Sequence, residues 1–101
     1  MTREEFEAAG RAADVLRHTS DPVNAEFWMG YLRGLRRHFH GEHFGTPEEH
    51  ALWSRLADEQ GDDARQARGI GYRCGVVGTP IAEAMTEAQL LRVVDGGGKI
   101  A

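Results

Sequence analysis

Apolar residues in this chain recur every three to four positions, and clusters of turn-forming residues interrupt them. Phe6, Ala9, Ala13 and Leu16 make the first stripe. Thr2 followed by Glu5 reads as a capping box, in which each side chain satisfies an orphan backbone N–H, and it predicts a helix over 3–18. Thr19-Ser20-Asp21-Pro22 closes that helix and opens a second over 22–40, with Asp21 as its cap and Pro22 at its first position. Trp28, Tyr31, Leu32, Leu35 and Phe39 form its stripe, and Gly41 is its expected stop. A short loop, Glu42 to Gly45, leads to the strongest start signal in the chain. There Thr46 is the cap, Pro47 the first helical residue and Glu49 the expected reciprocal partner of Thr46. The third helix is expected over 47–60 with Leu52, Trp53 and Leu56 buried.

Gln60-Gly61-Asp62 opens a fourth helix, 63–77, with Ala67, Ile70, Cys74 and Val77 inward. After Gly78-Thr79-Pro80 a fifth runs from 80 to about 94 on Ile81, Ala84, Met85, Ala88 and Leu91. Gly96-Gly97-Gly98 is expected to break it, leaving 96–101 as a flexible Gly-rich tail to a single helical domain, 1–95. No stretch alternates with period two over strand length. The expected class is all-α: a compact bundle of four to five short helices.

Two segments echo each other. Gly30-Tyr31-Leu32-Arg33-Gly34 returns as Gly71-Tyr72-Arg73-Cys74-Gly75 after 41 residues, and Asp21 returns as Asp62 at the same shift. Thr2-Arg3-Glu4-Glu5 returns as Thr46-Pro47-Glu48-Glu49 after 44. The pattern suggests an αα-hairpin used twice, related by a pseudo-two-fold. Each mid-helix glycine costs up to ~1 kcal/mol relative to alanine, so the pairs call for a reason. Close packing of helix two against helix four supplies one; a bare backbone kept for a ligand or partner is the other. Leucine at Gly34 or Gly75 should overpack, whereas alanine is expected to stabilise mildly wherever there is room.

At 101 residues and 11.2 kDa, folding would bury about two-thirds of the unfolded chain's surface, enough for one core. A hydrophobic share of 41% and a charged share of 28% argue against wholesale disorder. No apolar run approaches the ~18 residues of a membrane span. Met1 to Glu7 has no apolar signal-peptide region, and one cysteine, Cys74, excludes a disulfide framework. A cytoplasmic location is the expectation. The net charge of −4 disfavours non-specific binding to nucleic acid. Against that background Arg33, Arg36, Arg37, His38, His40 and His43 form a local basic patch with one acid, Glu42.

Catalytic and metal chemistry find little support. His38, His40, His43 and His50 lack a metal-ligand spacing, and charge complementarity at a helix C-terminus explains them more simply. Cys74 falls in a buried stripe, Ser20 and Ser54 have no nucleophile context, and Gly96-Gly97-Gly98-Lys99 is not a phosphate loop. The expectation is a protein that is not an enzyme and uses no cofactor or metal. Arg33, Arg36 and Arg37 share one helix face and offer a nucleic-acid surface as the alternative. The favoured expectation is a protein partner bound at Arg33, Arg36, Arg37, His40, Glu42 and His43, because arginine with tryptophan and tyrosine dominates interface hot spots.

The run RGLRRHFHGEHFGTPEEHALW, from Arg33 to Trp53, resembles that of small uncharacterised helical proteins of bacterial prophages, phages and conjugative elements. The later Gly71-Tyr72-Arg73-Cys74-Gly75 is similar to a segment that follows in the same group, so the resemblance covers roughly 26–78. It implies a mobile-element setting and, by analogy, a small protein that binds a host protein, a host-defence inhibitor such as an anti-CRISPR among them. It supplies no catalytic residue.

Overall fold

Among the described residues five α-helices follow one another, and polar side chains open the first four where the sequence marks them. A computed structural model describes residues 1–100, with side chains described through Leu91. Helix α1 is Arg3–Thr19; the Thr2 hydroxyl accepts the Glu5 N–H at 3.1 Å, and the Glu5 carboxylate accepts the Thr2 N–H at 3.3 Å. Helix α2 is Pro22–His40, with Asp21 accepting the Asn24 N–H at 3.0 Å. Gly41, at φ 67°, leaves α2 for a 3-10 turn over Gly41–His43. Helix α3 is Pro47–Arg55, and Thr46 accepts the Glu49 N–H at 3.1 Å. Helix α4 is Asp63–Val76, with Asp62 accepting the Arg65 N–H at 3.1 Å. Helix α5 is Ile81–Ile100. Among the described residues there is no strand.

Two expected boundaries move. The third helix tightens into a 3-10 turn at Leu56–Asp58, where Leu56 and Ala57 pass under Gly69 of α4. Helix α5 does not stop before Gly96 but is bounded at Ile100. The expected flexibility of 96–101 concerns residues whose side chains lie outside those described.

Helices α2 and α4 form the centre, side by side and in the same direction. A Cβ on Gly30 would fall on the carbonyl oxygen of Arg68, and one on Gly71 on that of Phe27. Gly34 stands in the same way to Tyr72, and Gly75 to Tyr31. Each glycine thus faces the carbonyl three residues before a glycine of the other helix, and the register is the 41-residue shift seen in the sequence. Only a residue without Cβ lets backbones approach this closely, and Cα–H groups then meet carbonyl oxygens directly. The pseudo-two-fold is a property of this crossing. Outside it the halves diverge: α1 has 17 residues and α3 has 9.

Around the crossing, Phe27, Trp28, Tyr31 and Leu35 are at most 2% exposed. Burying each such side chain is worth ~1.5–3 kcal/mol. Helix α1 closes on α2 through Ala9 and Ala13, and Phe6 stacks on Phe39 with centroids 4.4 Å apart. Helix α5 seats Ala84 and Ala88 on the same core. The Tyr31 hydroxyl donates to the Thr79 carbonyl at 2.6 Å and ties α2 to the α4–α5 connection. Leu52, Val77 and Met85 are corrections to the expected inward stripes: they are 48%, 73% and 40% exposed. Helix α3 is short and α5 rests on alanines, so neither presents its full stripe to a neighbour, and Val77 falls in the turn after α4 ends at Val76.

Candidate partner-binding groove

Helices α1 and α3 flank α2 without closing over it, and an open groove of about 500 Å³ remains between them. Its floor is α2, with Met29, Leu32, Arg33 and Arg36. One wall is α1, with Phe6, Gly10, Asp14 and Arg17, and Trp53 of α3 forms the other. Helical spacing puts Arg33 and Arg36 on the same side of α2, one turn apart.

The three arginines expected to act together have different duties. Arg33 pairs with Glu49 at 2.5 Å, and its guanidinium lies 4.8 Å from the Trp53 ring centroid and 5.3 Å from that of Phe44. The expected reciprocal box is half formed: one Glu49 carboxylate oxygen takes Arg33, and the other lies 3.5 Å from the Thr46 hydroxyl and not on the Thr46 backbone N–H. Arg37 turns to the connection and donates to the Phe44 carbonyl at 3.1 Å. Arg36 is exposed, lines the groove and has no ion-pair or hydrogen-bond partner among the described residues.

The rest of the expected site lies beside the groove. The His40 ring meets Phe6 and Phe39 edge-on at 5.8 and 5.3 Å, so it helps close the α1–α2 hairpin. Glu42 and His43 sit exposed in the 3-10 turn. The histidines disperse: His38 Nδ1 donates to the Val76 carbonyl at 2.8 Å, and His50 Nδ1 lies 2.8 Å from the Tyr72 hydroxyl. Among the described residues no three His, Cys, Asp or Glu side chains converge on a metal-sized site.

Three titrating groups in the interior are shifted by burial. Tyr31 is pushed up to about 12, chiefly by desolvation and then by the Cys74 thiolate that would form nearby. Tyr72 is raised by burial, against the charges of Arg37 and Arg33. Burial and then Glu87 push the Cys74 thiol up, and a hydrogen bond with Thr79 opposes them. A thiol held protonated is a poor nucleophile.

Sequence reasoning missed Gly10, Arg17, Met29 and Trp53 as lining residues of one groove. For Gly10 a signal existed: it is a helix-interior glycine with no counterpart in the paired motifs. The acids on the α1 wall are already matched, Asp14 with Arg17 at 2.7 Å and Glu7 with Arg3 at 3.1 Å. No described helix is long and apolar enough to cross a membrane. No family model matches the chain, and no curated protein or solved structure matches it.

Proposed function

We propose that this chain is a non-enzymatic binding protein that takes a protein partner across the α1–α2–α3 face, with Arg36 at the centre of the contact. The observation that carries this reading is the division of labour on α2. Arg33 is held by Glu49 and two aromatic rings and Arg37 is positioned by a backbone carbonyl, so Arg36 alone of the three has no ion-pair or hydrogen-bond partner among the described residues, and it stands in a groove with Met29 and Trp53. A surface that tracks phosphates needs several free cations in a row. Of the three arginines that line this groove, Arg17 is paired with Asp14 and Arg33 with Glu49, which leaves Arg36 alone to meet a phosphate. An arginine beside exposed methionine and half-buried tryptophan matches the composition of protein interfaces. The likeness to mobile-element proteins in the Arg33–Trp53 run favours a host protein, a defence component included, as the partner.

The test is capture on the immobilised full chain, with and without nuclease, comparing Arg36→Ala with Arg55→Ala. The expected result is a protein retained through nuclease treatment, lost with Arg36→Ala and kept with Arg55→Ala. Retention of nucleic acid, or of the same protein by both variants, overturns the reading.

A further inference from the structure

Gly10 separates this groove from an ordinary surface crease. The glycines of α2 and α4 are explained by the backbone pressed against them. Gly10 stands in the interior of α1, and a Cβ built there meets nothing within 4 Å. The fold therefore has no need of glycine at this position, although glycine weakens a helix interior by ~1 kcal/mol relative to alanine. Gly10 lines the groove opposite Trp53. The bare backbone keeps the groove wide where a side chain would narrow it.

Charge determines what fits. Asp14 and Arg17 neutralise each other, Glu7 faces Arg3, and Arg33 is matched by Glu49. The unmatched charge in the groove is the Arg36 guanidinium. Donor capacity also remains on the α1 wall, where Arg17 Nε is buried without an acceptor among the described residues. Met29, Leu32 and Trp53 provide apolar surface beside these donors.

We infer that the groove takes a peptide segment of the partner in which an apolar side chain lies next to an aspartate or glutamate, the apolar group over Gly10 against Trp53 and Met29 and the carboxylate on Arg36. This inference rests on the protein-partner reading above and specifies its chemistry. A guanidinium holds a carboxylate by paired, charge-assisted N–H donors, and Arg36 has those donors uncommitted. A phosphate chain would bring further charges that the groove does not match.

The probe is a set of short labelled peptides, each with one leucine or tryptophan beside a central aspartate, and matched sets with asparagine or lysine there. Binding to the full chain is read by fluorescence polarisation. The expected result is binding by the aspartate set, weakened about tenfold or more by asparagine and by Arg36→Gln, since a charge-assisted contact is lost. Gly10→Leu should block the groove and abolish binding while the thermal midpoint holds or rises; Gly10→Ala should weaken it with the same signature. Arg55→Gln should change nothing. Equal binding by asparagine peptides, or unchanged binding by Gly10→Leu, overturns the inference. So does the absence of any peptide binder beside an Arg36-dependent protein partner, a result that leaves the protein-partner reading standing. Aspartate peptides held through Arg36 and Gly10, with no protein captured, would instead uphold the groove chemistry and overturn that reading.

Discussion

A Cβ on Gly34 would stand 2.9 Å from the Cα of Gly75, and one on Gly75 would stand 2.8 Å from the carbonyl carbon of Gly34. Both neighbours are backbone, which cannot rotate away as a side chain can. The mild stabilisation expected of alanine on propensity alone therefore gives way to a steric penalty. Gly34→Ala and Gly75→Ala should each lose ~1–3 kcal/mol or more by overpacking, read as a lower urea midpoint at similar slope. Leucine at either position should prevent assembly of the α2–α4 pair. A midpoint unchanged in both alanine variants would mean that the helices do not touch there.

Gly10 predicts the opposite sign. With open space above it, Gly10→Ala should stabilise by ~0.5–1 kcal/mol through helix propensity and lower chain entropy in the unfolded state. Thermal denaturation should show the gain. A loss would show that the α1 backbone at Gly10 is in contact.

The arginines of α2 should separate in single variants. Arg36→Ala should leave the denaturation midpoint within ~0.5 kcal/mol of the parent, as for a surface side chain without partners. Arg33→Ala should cost ~1–2 kcal/mol, because it removes two ring contacts and a partly exposed ion pair. Arg37→Ala should fall between them by freeing the Phe44 carbonyl. An Arg36→Ala and Arg37→Ala double variant therefore mixes binding with stability, and Arg36→Ala alone is the cleaner probe. Equal costs at all three positions would contradict this assignment.

Alkaline pH should act through Tyr31. Its hydroxyl ionises near 10 in the unfolded chain and at about 12 in the fold, so the fold favours the neutral form. Its contribution is complete below pH 10 and is lost as pH rises toward 12, at up to about 1.4 kcal/mol per pH unit for one proton. Tyr72, raised in the same direction, adds to the decline. Tyr31→Phe should cost ~1 kcal/mol at neutral pH by orphaning the Thr79 carbonyl, and it should flatten the alkaline loss. A parallel decline in both proteins would place its origin elsewhere.

Cys74 should react slowly. A disulfide reagent at pH 8 should modify it well below the rate of a free thiol, because burial keeps the thiolate scarce. Labelling at the rate of a small thiol would show that α5 leaves Cys74 open.

Helix starts were legible in the amino-acid order alone. Thr2, Asp21, Thr46 and Asp62 each cap the helix they announce, because a cap is a hydrogen bond between residues three apart and needs nothing from the rest of the chain. That order also showed that α2 and α4 carry faces bare enough for close contact. The glycine spacing shows in one dimension, but the register and the parallel sense come from carbonyls on the other helix. Tertiary structure alone decided the fate of similar side chains. Arg33, Arg36 and Arg37 are alike in the sequence; the positions of Glu49, Trp53 and Phe44 engage two of them and leave Arg36 free. Leu52 follows its helical stripe yet stays exposed, because a stripe is buried only where another element lies over it, and Val77 is exposed because α4 ends at Val76 and leaves it in the turn beyond. Gly10 and the groove it lines exist because α1 and α3 stop short of each other across α2. That gap depends on the relative placement of three helices, which no local pattern encodes.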